Sequence, residues 1–207
     1  HAKRNQQDEA RKWYTIAAEQ GHRKASLKLD GLNDIEGALA SCSNPDRVFN
    51  AVLRSDVQQI QTCIDAGFDF SMLDDNRHTP LVAAILAEKK DVITLLLPVT
   101  ENVNQADHQN SQAIHYAAAK GYSDVVLQLI SQGAKINQPD GLGNTALAIA
   151  VRRDDAAMVD LLLKRQADPR IRNRKKKTAI DLAKARGDSK VASAFARNGI
   201  NLKQDAQ

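Results

Sequence analysis

QAIHYAAAKGYSDVVLQLISQGAKINQPD, residues 112–140, predicts two short amphipathic helices followed by an extended segment. Apolar residues at helical spacing mark the first helix, which ends at Gly121 because glycine adopts the left-handed cap conformation at little cost. We expect Ser123 and Asp124 to cap the second helix and Gly133 to stop it. Two helices of this size cannot bury their apolar faces alone, so neighbouring units must stack against them.

The pattern of this segment recurs at a fixed distance along the chain. Equivalent residues lie 33 positions apart in four series: Thr79, Gln112, Thr145 and Thr178; Leu81, Ile114, Leu147 and Ile180; Ala84, Ala117, Ala150 and Ala183; and Asp74, Asp107 and Asp140. A constant period of this size is the signature of stacked repeat units, each made of one supersecondary element. The segment is therefore one unit of a repeat protein.

The repeated unit resembles the ankyrin family, whose first helix opens on a T-P-L-H-x-A box. The box is found at 79–84 (TPLVAA), 112–117 (QAIHYA), 145–150 (TALAIA) and 178–183 (TAIDLA), with a degenerate copy at 46–51 (DRVFNA). Only Pro80 keeps the proline of the box and only His115 its histidine, which the family uses to brace turns. The resemblance implies an all-α ankyrin-repeat solenoid over 45–207, with repeats at about 45–74, 75–107, 108–140, 141–173 and 174–203.

A second pattern precedes the repeats. Residues 8–32 read DEARKWYTIAAEQGHRKASLKLDGL, and the part from Glu9 to Gly21 resembles the Sel1-like repeat, E-A-x-x-W-Y-x-x-A-A-E-Q-G. The resemblance implies a partial Sel1-like helical repeat over 1–44, whose α-hairpin helices cap the N-terminal end of the solenoid. A generic amphipathic capping helix is the alternative. A cap is expected because the first ankyrin repeat keeps apolar residues such as Phe49 and Ile64, whereas the last repeat is richer in alanine.

Composition limits the class and the partners of the protein. The chain has 207 residues, 43% hydrophobic and 26% charged, and no apolar run approaches the length of about 20 that spans a membrane. Net charge is −5 over 46–140 and +8 over 141–207, so one half is acidic and the other basic. The chain begins with His1 rather than Met, which leaves open a cytoplasmic location or a periplasmic or secreted one after removal of a signal.

The sequence contains no motif of a hydrolase, nucleotide-binding or zinc-protease site. Its histidines, His1, His22, His78, His108 and His115, have no placed Cys or carboxylate partners that would suggest a metal or acid–base role. The adjacent pairs Asp74–Asp75 and Asp154–Asp155 are interpreted as solvated caps. We expect no enzyme activity, no cofactor and no metal in this chain, while an enzyme in a region preceding it stays an alternative.

Cys42 and Cys63 are the two cysteines of the chain. Cys63 occupies the position of Leu96, Leu129 and Leu162 in later repeats, which favours a small buried apolar residue. The fold implied by the resemblance also brings the end of that helix near the start of the first repeat, close to Cys42. A Cys42–Cys63 disulfide is therefore the alternative, and it would indicate a periplasmic or secreted protein.

The resemblance also implies where a partner binds, because the family places contacts on the hairpin tips and first helices, at four, three and one residues before the box Thr and seven and eight after it. These positions are Asp75, Asn76, His78, Leu86 and Ala87; His108, Gln109, Ser111, Ala119 and Lys120; Gly141, Leu142, Asn144, Arg152 and Arg153; and Arg174, Lys175, Lys177, Ala185 and Arg186. Six of the ten in the last two repeats are Lys or Arg and none is acidic. The alternative to a binding face is a solvated charge run.

These patterns predict a non-enzymatic, bacterial-type protein–protein interaction module whose basic concave face binds an acidic protein partner. An immunity protein or inhibitor that blocks a toxin is one such protein, and a host-directed effector or an assembly adaptor would have the same sequence features. A polyanion binder, for nucleic acid or anionic lipid, is the rival of another class. The acidic half of the chain and the lack of aromatic stacking residues near the basic patch argue against it.

Overall fold

In the computed structural model, the described residues are Lys12, Thr15, 42–187 and 189–202. They contain ten α-helices and no strand: α1 Pro45–Arg54, α2 Val57–Asp65, α3 Pro80–Leu86, α4 Lys90–Leu96, α5 Ala113–Lys120, α6 Ser123–Ser131, α7 Ala146–Arg153, α8 Ala156–Lys164, α9 Ala179–Arg186 and α10 Lys190–Arg197. A 3-10 turn, Leu97–Val99, follows α4. The all-helical prediction is therefore confirmed, while the predicted Sel1-like repeat lies outside these residues except for Lys12, Thr15 and the segment from residue 42.

The helices pair in chain order and the pairs stack into two layers. The first helices of the pairs, α1, α3, α5, α7 and α9, contact one another in sequence and form the inner layer. The second helices form the outer layer, in which α8 packs closely on α10. Each pair thus buries its apolar face against the next pair, as a repeat solenoid requires.

Small residues let the inner helices approach. The box alanine is buried in every repeat, at Ala51, Ala84, Ala117, Ala150 and Ala183. In the outer layer the equivalent buried position holds larger residues, Cys63, Leu96, Leu129, Leu162 and Phe195, each at most 1% exposed. Because this position lies at the same point in every unit, the side chains form a continuous apolar column through the stack.

In three repeats the box Thr caps the first helix, as predicted. The hydroxyls of Thr79, Thr145 and Thr178 accept the backbone N–H three residues on, which confirms their capping role. The first repeat differs, because α1 begins at Pro45 and is capped by Asn44, two residues before the position that the repeat spacing indicates.

The predicted capping of α6 by Ser123 and Asp124 is wrong. The N-cap of α6 is Tyr122, which makes no side-chain hydrogen bond there, and Ser123 is already the first helical residue. The chain turns tightly at Gly121, whose φ is 76°, and the backbone N–H of Tyr122 donates to Ala117 O at 2.9 Å. Because of this tight turn, α6 begins at Ser123, whereas a helix capped by the Ser123 side chain would begin one residue later.

His115 braces its repeat, as its place in the box implies. Its Nδ1 accepts the backbone N–H of Gln112 at 2.9 Å and its Nε2 donates to Gln138 O at 2.9 Å. This pattern requires the neutral imidazole, because a doubly protonated ring has no acceptor. Burial lowers the pKa of the His115 side chain below its ordinary value, against the opposing effect of the carbonyl of Gln138.

We predict that His115 makes the stability of the protein sensitive to acid. Because its folded pKa is lowered, its contribution is present above the ordinary value of about 6.5 and is lost as pH falls from there through the folded pKa. Urea unfolding at several pH values should show the wild type approaching a His115→Gln variant in unfolding free energy as pH drops. A constant gap between the two proteins across this range would contradict the assignment.

Cys42 and Cys63 form a disulfide with a Cα–Cα distance of 5.7 Å and a sequence separation of 21. Both residues are buried, so Cys63 also occupies the apolar position that the leucine series indicates. The bond joins the segment just before α1 to α2 and closes the first repeat on itself. Disulfides of this kind persist in oxidising compartments.

We expect loss of this bond to destabilise the protein by about 3 kcal/mol, because it constrains a loop of this length in the unfolded chain. The comparison is between wild type and a Cys42→Ala, Cys63→Ala variant in denaturant unfolding, each with and without reductant. Reductant should lower the stability of the wild type alone. Two free thiols found by non-reducing mass spectrometry, in protein taken from its natural source, would rule out the bond.

Candidate functional site: the hairpin tips

Four hairpin tips connect the repeats, and each is closed by the side-chain oxygen of its first residue. At the third tip, Asp140 Oδ1 accepts the backbone N–H groups of Leu142 at 2.8 Å and Asn144 at 2.7 Å. The same pair of bonds occurs at each of the other tips, to the residues two and four positions beyond Asp74, Asp107 and Asn173. The tip conformation is therefore set locally, before any partner is present.

The tips are also tied to one another by their backbones. Three hydrogen bonds run from one tip to the next: His108 N to Asn76 O at 3.4 Å, Gly141 N to Gln109 O at 2.6 Å and Arg174 N to Leu142 O at 2.9 Å. Gly141 makes the shortest of them, and a Cβ at this position would stand 2.3 Å from Gln109 O. Only glycine permits the close approach of the second and third tips.

A cleft of about 510 Å³ opens beside this contact. We call it the tip cleft, and its lining residues are His108, Gln109, Asn110, Ser111, Asp140, Gly141, Leu142 and Arg174. Six of these eight are among the predicted contact residues, so the structure brings residues of three repeats to one place. Leu142 is 62% exposed, the largest exposure among the described large apolar side chains.

Arg174 lines the cleft, and further cations of the predicted contact set lie on α7 and on the last tip. Five of the predicted contact residues are exposed and form no ion pair within the described residues: Arg152, Arg153, Arg174, Lys175 and Lys177. We call these five residues the basic face. The last tip begins with Asn173, which closes the turn as aspartate does at the other tips but adds no negative charge beside these cations.

Two predicted contact cations are instead bound within the stack. Lys120 Nζ lies 2.7 Å from Glu88 Oε1, and this hydrogen bond is the main reason that the pKa of Glu88 is lowered. Arg186 Nε lies 3.3 Å from Asp154 Oδ1, and its Nη1 donates to Arg152 O at 3.0 Å. Both side chains therefore link neighbouring repeats.

His78 also has partners inside the stack. Its Nδ1 lies 3.1 Å from Asp74 Oδ2 and its Nε2 lies 3.6 Å from Asp107 Oδ2, and the ring packs edge-on against Tyr116. The Tyr116 hydroxyl donates to Asp107, and burial, more than this bond, raises the pKa of the phenol well above its ordinary value. This cluster joins the first and second tips, so His78 serves their packing.

The remaining predicted contact residues divide by exposure. Asp75, Asn76 and His108 are exposed, and the His108 ring donates to the carbonyl of Asp75 at 3.2 Å. Leu86 is 37% exposed. Asn144 is buried, and its Oδ1 accepts from Asn173 Nδ2 at 3.0 Å, so it holds two tips together and is not displayed to a partner.

The residues that close the tips are not among the predicted site residues. The sequence predicts Asp74 only as a solvated cap, and the 33-residue series of Asp74, Asp107 and Asp140 only as a marker of the repeat period. Their constant spacing from the backbone N–H groups they accept, together with Asn173 at the next step, is the signal that identifies them as turn residues.

Stacked helix pairs with a row of displayed tips define a repeat-built binding scaffold. Within the described residues, no group of His, Cys, Asp and Glu side chains is arranged to hold a metal ion. The profile of a family described as ankyrin repeats (3 copies) matches residues 48–140, and that of ankyrin repeats (many copies) matches residues 129–183. The chain belongs to the ankyrin-repeat family, whose members are in general protein–protein interaction modules.

Curated relatives agree with this assignment. The ankyrin repeat protein YahD of Escherichia coli (strain K12) is 27% identical over 146 residues, which cover 68% of this chain and 73% of that protein. Ankyrin repeat and KH domain-containing protein 1 of Homo sapiens is 31% identical over 110 residues, 52% of this chain but 4% of that protein. Inversin of Canis lupus familiaris is 32% identical over 109 residues, again 52% of this chain and 10% of that protein.

None of the described helices has the length and apolar character needed to span a membrane.

We predict that Gly141→Ala disrupts the tip cleft. The backbone φ of Gly141 is one that any residue adopts, so the added methyl acts only by its clash with Gln109 O, at a cost of about 1–3 kcal/mol. Gly133→Ala is an informative control, because a Cβ there meets nothing within 4 Å although its φ of 87° adds backbone strain. NMR amide shifts should change at the second and third tips in Gly141→Ala alone. Unchanged shifts at these tips would show that the close contact is not required.

Proposed function

We propose that the protein is a non-enzymatic binding module that grips an acidic protein partner through the tip cleft and the basic face. The observation that carries the proposal is the tip cleft itself. It joins an exposed apolar side chain, Leu142, to the guanidinium of Arg174, which forms no ion pair within the described residues, over a floor of hydrogen-bonded backbone. Apolar anchors at the centre of an interface contribute most of the affinity, and cations around them select a complementary charge.

The rigidity of the site supports binding of a preformed surface. Each tip is closed by its own Asp or Asn, and the tips are joined by backbone hydrogen bonds, so little ordering remains to be done on association. The five cations of the basic face come from α7 and from the last tip, which belong to neighbouring repeats. A partner with a carboxylate-rich surface and an exposed apolar side chain complements this arrangement.

One concrete form of this function is an immunity protein or inhibitor that occludes a bacterial toxin. The similarity to an Escherichia coli protein over 68% of the chain is compatible with a bacterial origin. The Cys42–Cys63 disulfide favours an oxidising compartment, such as a periplasm or the exterior. A host-directed effector or an assembly adaptor would use the same surface for a different acidic protein.

A polyanion binder is the alternative that the basic face itself favours. Acidic residues lie along the neighbouring tips, however, including Asp75 at the surface and Asp140 in the lining of the cleft. A phosphate backbone that crossed all the tips would meet these carboxylates, whereas a protein surface can match both signs of charge.

The test is a pull-down from lysate of the source organism at moderate salt. Wild type is compared with a variant in which Arg152, Arg153, Arg174 and Lys175 are changed to Glu. The control variant carries the same change at four cations outside the basic face, Arg54, Lys89, Lys135 and Arg165. We expect one protein to be retained by wild type and control, lost by the basic-face variant, and acidic where it contacts this chain.

Two outcomes would contradict the proposal. Retention of the same protein by all three baits would place the interface elsewhere on the stack. Retention of nucleic acid or anionic vesicles, with steep dependence on salt and no specific protein, would support the polyanion alternative.

A further inference from the structure

A row of cations crosses the inner layer at the ends of three helices. Lys120, Arg153 and Arg186 are the last residues of α5, α7 and α9 and lie 33 positions apart. Each side chain reaches back to the left-handed residue that follows the inner helix of the preceding repeat. Those three residues are Glu88, Gly121 and Asp154, with φ of 58°, 76° and 61°.

Two of the three cations meet a carboxylate at that place. Lys120 pairs with Glu88 and Arg186 pairs with Asp154, at the distances given above. The pairing therefore belongs to the repeat, in which a cation ends one inner helix and an acid follows the one before it. Such pairs are partly exposed and contribute modestly to stability, but they define where a carboxylate is accepted.

The middle cation lacks this partner. Arg153 reaches Gly121, where its Nη2 lies 3.9 Å from the position that a Cβ would occupy. The Asp155 carboxylate borders the same position with its Oδ2, at 3.3 Å, while its Oδ1 accepts the backbone N–H of Met158 as the cap of α8. Arg153 forms no ion pair in the part of the chain that the structure describes. The row of cation–carboxylate pairs therefore lacks one acidic side chain, at Gly121. We call this place the gap.

We propose that Arg153 determines specificity by receiving an Asp or Glu side chain of the partner in the gap at Gly121. The inference rests on the proposed function and names the residue and the ligand group. The partner carboxylate takes the place that Glu88 and Asp154 fill in the neighbouring repeats. A guanidinium suits this role, because its planar fork binds both oxygens of a carboxylate. Arg153 is exposed, so the approach from solvent is open.

The first arm of the test needs no partner. Gly121→Asp supplies the missing acid within the chain, in a left-handed conformation that Asp154 already adopts at the equivalent place. Gly121→Asn is the control of the same shape without charge. A double-mutant cycle with Arg153→Ala should show coupling in the unfolding equilibrium of about threefold for Gly121→Asp and none for Gly121→Asn. Equal coupling in both cycles would mean that Arg153 does not hold a carboxylate there, and would overturn the inference.

The second arm measures binding to a defined acidic probe, a short peptide of Glu-Glu-Leu repeats, with a Lys-Lys-Leu peptide as the charge control. We expect Arg153→Ala to weaken binding of the acidic peptide about fivefold, while Arg165→Ala, which removes one exposed cation outside the basic face, changes it little. Gly121→Asp should weaken binding as Arg153→Ala does, because its own carboxylate occupies the guanidinium. Gly121→Asn should bind as wild type does.

The outcomes separate this inference from the proposed function. If Arg153→Ala binds the acidic peptide as wild type does, while the four-residue basic-face variant does not, the inference fails and the proposed function stands. If wild type fails to bind the acidic peptide or binds both peptides equally, preference for an acidic ligand fails, and the role of Arg153 fails with it.

Discussion

The hydrogen bonds from one side-chain oxygen to two backbone N–H groups, made at the start of every tip, are the interaction on which the binding surface depends. Asp140 illustrates it, because its Oδ1 closes the turn while its backbone N–H donates to Asn144 O. In a tip closed in this way, the carbonyl two residues after the closing Asp accepts a backbone N–H of the next tip. The backbone bonds between tips follow from that geometry, and so does the tip cleft where Gly141 allows the closest approach.

Most ion pairs among the described residues join side chains of neighbouring repeats. Lys120 and Arg186 each neutralise an acid of the preceding unit, and the His78 cluster joins two tips through shared carboxylates. Internal pairing leaves a smaller set of cations for a partner than the composition suggests. The net charge of +8 over 141–207 therefore overstates the binding surface, and the unpaired residues of the basic face define it better.

Properties that follow the 33-residue period are predicted well from the sequence. Positions 33 apart share burial, as Ala84, Ala117 and Ala150 show, because each repeat has the same neighbours on both sides. Helix capping is predicted less well. Threonine caps form where the box has Thr, but Ser123 does not cap α6, since the turn at Gly121 moves the helix start. A cap depends on the path of the chain over a few residues, which the residue type alone does not specify.

The sequence by itself determined the repeat length, the all-helical class and the residues of the core, because these depend on spacing along one chain. It also indicated the tips and inner helices as the place for contacts. Only the tertiary structure decided which cations are free. Lys120 meets Glu88 from 32 residues away, whereas Arg153 meets Gly121. Whether a charge is satisfied depends on which side chain stands opposite it, and that residue belongs to another repeat.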